Sequence, residues 1–237
     1  MVKYKRYIFL YYHLFSAGVI VDDRWVLSAA HCVHNAKTIQ VDVGQWNRLH
    51  SDNGEFRVKA AEWVAHPNAG ATNGIANDVV MIKVPSLSRN KPKSCTGCYQ
   101  MACLPTDHVS AGEHCWVSGW NMHHSDQSNK LREKGINVFP HDYCIDHSTY
   151  SKYDVLVNSE FCAGDPNWSG DISVSASEDQ CPGDSGSPLI CDNGSGSPTV
   201  FGIVSWGIAC ASAGNPGVFA KVASYTQWIN EIMDNTQ

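Results

Sequence analysis

Charge is scarce in this sequence. Asp, Glu, Lys and Arg make up 17% of its 237 residues, and acids outnumber bases 23 to 17. With a net charge of −6, nothing reads as a basic face, so no nucleic-acid partner is expected. Long apolar runs are missing as well, which excludes a membrane-spanning helix from the expected architecture. No internal repeat of fixed period and no low-complexity block occurs, so a repeat array is excluded.

What is present is a hydrophobic fraction of 43%, enough to bury one large core or two modest ones. Ten cysteines are spread along the chain. That usage implies an oxidising compartment, disulfides and a secreted protein. Asn167-Trp168-Ser169 and Asn193-Gly194-Ser195 are glycosylation sequons, in keeping with that compartment.

Short strand-like runs recur between Gly, Pro and Asn clusters, at residues 18–27, 39–43, 56–64, 79–84, 115–118, 134–139, 188–191, 200–206 and 217–222. The pattern predicts an all-β sandwich or barrel. Residues 85–112, with Lys91-Pro92-Lys93 and Leu104-Pro105, read as a linker that splits the chain into roughly equal halves. At the end, Tyr225, Trp228, Ile229, Ile232 and Met233 recur at helical spacing. Ser224 and Gln227 predict a capping box there, and the helix is expected to pack on the second half. The first sixteen residues admit three readings. Lys3, Lys5 and Arg6 before an apolar run resemble a signal peptide. The run could equally be the remnant of a strand, or translated non-coding sequence upstream of a splice junction.

Three motifs carry chemistry. In Gln180-Cys181-Pro182-Gly183-Asp184-Ser185-Gly186-Ser187-Pro188, a glycine-flanked turn would expose the Ser185 hydroxyl. The N–H groups of Gly183 and Ser185 would converge beside it on an oxyanion. The alternative is an ordinary Gly-rich turn. A serine needs a neighbouring base, and Ser28-Ala29-Ala30-His31-Cys32 places a histidine at the end of a strand. Asn77-Asp78-Val79-Val80 places an acid at the head of a buried strand, where it needs a partner such as the imidazole, with Ser205 a further donor.

Together, in the order His31, Asp78, Ser185, these segments resemble the chymotrypsin/trypsin-like serine proteases. Cys115-Trp116-Val117-Ser118-Gly119-Trp120, Phe161-Cys162-Ala163-Gly164, Ser205-Trp206-Gly207 and Asn215-Pro216-Gly217-Val218-Phe219 extend the likeness. The resemblance implies two six-stranded antiparallel β-barrels with a C-terminal α-helix. The divisions are an atypical segment 1–16, an N-terminal barrel 17–103 and a C-terminal barrel 104–237. It implies a serine endopeptidase that works through an acyl-enzyme. His31, Asp78 and Ser185 are catalytic, with the oxyanion hole at Gly183 and Ser185. Ser205, Trp206 and Gly207 pair with substrate as an added strand.

Asp179, six residues before Ser185, stands where trypsin-like members carry the acid of the specificity pocket. Gly207 and Gly217 keep its walls open. The resemblance thus implies cleavage of polypeptides after Arg or Lys, no cofactor, protein protease inhibitors as partners, and a monomer. Three residues depart from the pattern: Ala209 at the pocket rim, Pro182 before Gly183, and Ser187 for a glycine. An altered fit is expected from them.

The family pattern pairs Cys115 with Cys191, Cys144 with Cys162, and Cys181 with Cys210. The usual partner position of Cys32 holds Ser16, which orphans Cys32. Cys103 resembles the cysteine that ties a pro-segment to the catalytic domain. Cys95, Cys98, Cys103 and His108 have a zinc-like spacing, but a local disulfide is the favoured reading and no metal is expected. A calcium loop at residues 45–55 is not expected either, since Gln45 stands where trypsins carry a glutamate.

Family members are activated when a new Ile-Val-Gly-Gly-type terminus folds in to pair with the acid before the nucleophile, here Asp184. No such stretch precedes His31. Asp184 is therefore expected to lack an evident partner, and residues 1–16 to be an incomplete or mis-joined terminus. A catalytically silent homologue acting as a binding module is the alternative function.

Overall fold

The computed structural model describes residues 8–12, 14–70, 76–120, 129–146, 158–164, 184–192, 196–207 and 216–235. Asp179, Cys181, Pro182, Gly183, Ala209, Cys210 and both sequons lie outside them.

The N-terminal part is one antiparallel sheet. Its strands are β1 (Ile8–Tyr12), β2 (Leu14–Asp22), β3 (Trp25–Ser28), β4 (Gln40–Val43), β5 (Phe56–Lys59), β6 (Glu62–Ala65) and β7 (Val80–Lys83), in the order β5-β4-β1-β2-β3-β7-β6. The C-terminal part has β8 (His114–Gly119), β9 (Arg132–Val138), β10 (Glu160–Gly164), β11 (Pro188–Asp192), β12 (Pro198–Trp206) and β13 (Gly217–Lys221). They form a closed barrel in the order β10-β13-β12-β11-β8-β9. The all-β expectation holds, with one closed barrel and one seven-stranded sheet.

Strand β1 falls in the segment read as atypical. It lies between β4 and β2, pairing Ile8 with both Val43 and Gly18. The run 18–27 divides into two strands because Asp22-Asp23-Arg24 turns, with the Arg24 amide donating to Asp22 Oδ1 at 2.9 Å. The run 56–64 also divides. The Ala60 amide bonds Ile39 at 2.9 Å, while the next amide, Ala61, bonds Lys83 on the far side at 2.8 Å. The expected linker contains a short helix α1 (Leu87–Asn90), capped by the Ser86 hydroxyl, and a Cys95–Cys98 disulfide. That disulfide uses two of the four residues with zinc-like spacing.

Cys115 faces Cys191 across β8 and β11, and the two are bridged at a Cα separation of 4.3 Å. Cys144, in helix α2 (His141–Asp146), is bridged to Cys162 of β10. Both pairings follow the family pattern. Among the described residues, Cys32 and Cys103 are the free cysteines.

The last helix, α3 (Thr226–Asp234), begins later than the capping box predicts. Ser224 lies inside a preceding 3-10 turn, Val222–Tyr225, and α3 starts without a side-chain cap. Its packing also differs from expectation. Ile229 joins one cluster made of Trp25, Leu27 and Met81 from the sheet and Val200, Ile203 and Ala220 from the barrel. The helix therefore seals the seam between the two halves rather than covering only the second. None of the described helices is long and apolar enough to cross a membrane.

Candidate active site

The site lies where the turn 184–187 meets the N-terminal sheet. Gly186 sits at φ +81°, a conformation that favours glycine. A Cβ there would overlap the Ala17 carbonyl and the Ser28 hydroxyl. The Ala17 amide donates to the Ser185 carbonyl at 2.8 Å, and the Ser28 hydroxyl donates to the Ala17 carbonyl at 2.7 Å. The turn bearing Ser185 is thus fastened to β2 by its backbone, and Ser28 of β3 braces the β2 residue that holds it.

His31 follows β3 in a short 3-10 turn, Ala30–Val33. Asp78 precedes β7 and is 4% exposed. Because β3 and β7 are neighbours, the two residues meet at the same end of the sheet. Asp78 Oδ1 accepts the His31 backbone amide at 2.8 Å, and Oδ2 lies 2.7 Å from His31 Nδ1. Ser205 donates its hydroxyl to the same Oδ2 at 2.6 Å. The register of β12 against β13 shifts between Val204 and Trp206. Such an irregularity re-aims a side chain, and here Ser205 turns into the seam. Asp78 thus receives three donors, which offset the cost of burying it.

The other imidazole nitrogen has an unexpected neighbour. His31 Nε2 lies 3.5 Å from Cys32 Sγ. Among the described residues, the hydrogen bonds of the ring go to Asp78 and Cys32. The His31 side chain is 42% exposed, and the enclosure of its remainder works against its charge. Hydrogen bonds to Asp78 and Cys32 outweigh this and, with the electrostatic influence of the same two residues, raise the His31 pKa from 6.5 to about 10.

Asp184 is not without partners, contrary to the sequence expectation. The Trp120 amide donates to its Oδ1 at 2.9 Å, and its charge acts on Arg48, whose guanidinium burial otherwise pushes downward in pKa. Gly119 makes this possible, since a Cβ there would collide with the carboxylate. Side-chain identities alone could not disclose a backbone donor from another strand.

Trp206 and Gly207 continue from Ser205 at the end of β12, and Gly217 opens β13 beside it. Trp206 donates its indole N–H to Glu160, a residue that the sequence reading did not single out. In the loop read for calcium, Asp52 Oδ2 accepts the amides of Trp46 and Asn47 at 2.6 and 2.7 Å. Glu55 accepts the Asp52 amide at 2.9 Å. Both carboxylates thus brace their own loop. Among the described residues, no three His, Cys, Asp or Glu side chains gather as a metal site.

A family model described as Trypsin matches residues 2–229. The chain is 35% identical to trypsin-1 of Salmo salar over 224 residues, covering 94% of this chain and 82% of that protein. Cationic trypsin-3 of Rattus norvegicus is 34% identical, covering 93% and 80%. Trypsin I-P1 of Gallus gallus is 33% identical, covering 94% and 81%. With the acid–imidazole couple lodged between a sheet and a barrel, and likeness running almost end to end, the chain belongs to the trypsin family of serine endopeptidases.

Proposed function

We propose that this chain hydrolyses polypeptides after Arg and Lys through an acyl-enzyme on Ser185. Ser185 Oγ attacks the scissile carbonyl while His31 Nε2 takes its proton and then passes it to the leaving amine. Asp78 fixes the ring with Nδ1 protonated and stabilises the imidazolium. The N–H groups of Gly183 and Ser185 receive the oxyanion. Water activated by the same histidine then cleaves the ester. Asp179 attracts the cationic side chain in a poorly hydrated pocket, between Gly207 and Gly217. Ser205, Trp206 and Gly207 take the substrate backbone as an added strand. Protein inhibitors presenting such a strand compete for the same edge, and the enzyme works as a secreted monomer.

The observation that carries this reading is the carboxylate of Asp78, held at once by His31 and by Ser205 from the other half of the molecule. The test is labelling by a fluorophosphonate, followed by turnover of peptides differing only at the cleaved residue. Labelling that vanishes in Ser185→Ala, with Arg and Lys preferred over Phe and the preference lost in Asp179→Ser, supports the proposal. Labelling with a preference for Phe overturns the specificity but leaves the chemistry.

A second reading has its own observation. The Cys32 thiol lies at the imidazole nitrogen that the serine requires. A chain locked in that state binds polypeptides without cleaving them. Strand-like inhibitors that bind an unlabelled protein, reduced or oxidised, would establish it.

A further inference from the structure

Glu160 is a charged residue in the wrong place for one. It is 1% exposed and among the largest side chains fully enclosed in the structure. Isolated carboxylates are expensive to remove from water, and they persist inside proteins where polar partners meet them. Glu160 opens β10 and pairs with Ala220 of β13. On the opposite side of β13, Trp206 of β12 pairs with Val218. Val218 and Ala220 are two residues apart, so they share one face of the strand. Ala220 offers only a methyl group there, which leaves room for an indole to reach across. Trp206 Nε1 donates to Glu160 Oε1 at 3.3 Å, over the top of β13.

The register of β12 is broken between Val204 and Trp206, and Trp206 pairs again with Val218 beyond the break. Side chains add two further ties to this strand end. Ser205 donates to the buried Asp78 at 2.6 Å, and the next residue donates to the buried Glu160. Two successive residues of one strand end are each tied to an enclosed acid. Tyr225 reports both acids. Burial raises its phenol pKa, the charges of Glu160 and Asp78 push it further up, and a Ser159 hydrogen bond partly opposes them.

We infer that Glu160 is a positioning residue for extended substrates: its carboxylate sets the indole of Trp206, and so the wall along which the substrate residues before the cleaved bond lie. This rests on the proposal that residues 205–207 pair with substrate. Glu160 acts through Trp206 and touches no reacting atom, so its effect falls on binding of long peptides and not on the chemical step.

The experiment compares a tetrapeptide amide with a single-residue ester of the same cleaved side chain. Concentrations are normalised by fluorophosphonate titration so that only competent protein counts. Glu160→Met keeps the volume and removes the acceptor, while Glu160→Gln keeps an acceptor oxygen. The expected result is KM for the tetrapeptide raised about tenfold in Glu160→Met relative to the change for the ester, the scale of one lost hydrogen bond. The kcat ratio stays the same, and Glu160→Gln recovers most of the loss. Should Glu160→Met fail to fold, Glu160→Asp withdraws the carboxylate by one methylene and carries the same test. Trp206→Ala is the control. If it leaves the tetrapeptide KM unchanged, the substrate-strand proposal fails and this inference with it. If Trp206→Ala raises that KM and the Glu160 variants do not, the inference alone is overturned. Equal effects on both substrates overturn it too, because they mark a merely structural role.

Discussion

The thiol of Cys32 lies 3.5 Å from Nε2 of His31, while Asp78 holds Nδ1 of the same ring. The imidazole is therefore engaged on both sides, and its pKa stands at about 10 instead of 6.5. General-base catalysis needs the neutral ring. With Cys32 free, kcat/KM is expected to climb with pH well beyond neutrality. Replacing Cys32 with Ser removes the sulfur that helps to raise the His31 pKa and moves the rising limb to lower pH. The pH profiles of kcat/KM for both proteins check this, and coincident limbs would remove the thiol from the account.

The same couple sets a stability trend. A folded pKa raised above the unfolded value stabilises the protein fully below the lower value, and the gain fades as pH rises through the upper one. For His31 the window runs from about 6.5 to about 10. In His31→Gln, the fall in urea midpoint between those pH values should be smaller than in the parent. A window of equal slope in both proteins would show that other groups govern it.

Much of the site was legible because its chemistry is written in contiguous segments. Ser-Ala-Ala-His31, Asn-Asp78-Val-Val and Gly-Asp-Ser185-Gly each carry their own local context. What escaped was decided by contacts across the fold. The Asp22-Asp23-Arg24 turn within residues 18–27 has no glycine to announce it, and the Asp22 carboxylate makes the turn by taking the Arg24 amide. The strand break at Ala60 exists because successive amides bond to different strands. Ser224 is a competent cap, but the 3-10 turn that closes the seam consumes it. Glu160 carries no motif, and only the register of three strands places it under Trp206.

Ser205 links the barrel to the acid of the couple. Its hydroxyl donates to Asp78 Oδ2, the oxygen that also faces the imidazole. Ser205→Ala leaves a 4%-exposed carboxylate one donor short. Loss of a hydrogen bond to a buried charge costs roughly 1.5–3 kcal/mol. The expected outcome is a lowered thermal midpoint together with reduced kcat, whereas Ser205→Thr keeps the donor and most of both. Unchanged kcat in Ser205→Ala would mean that His31 alone orients Asp78.

The Cys115–Cys191 bridge closes a separation of 76 residues across two paired strands of the barrel. It restrains the unfolded chain as well as the native ladder. Replacing both cysteines with Ala should cost about 2–5 kcal/mol, the range for native disulfides of secreted domains. Denaturant melts of that variant, with the remaining bridges intact, give the measurement. A loss below roughly 1 kcal/mol would assign the stability of the barrel to packing alone.

Gly119 and Asp184 give the sharpest steric prediction. The carboxylate occupies the space that a Cβ of residue 119 would need, and it accepts the adjacent Trp120 amide at 2.9 Å. Gly119→Ala therefore cannot be absorbed by a side-chain rotation at position 119. Either the strand end shifts or Asp184 swings away, and the Ser185 turn moves with it. Overpacking of this kind costs about 1–3 kcal/mol, and fluorophosphonate labelling of Ser185 should slow in parallel. The cause is separable by a double-mutant cycle. Asp184→Ala removes the obstructing oxygens, so adding Gly119→Ala to it should cost less than it does in the parent. A coupling of about 0.5–3 kcal/mol is expected for residues in contact. Additive losses would mean that alanine at 119 is resisted by something other than the carboxylate.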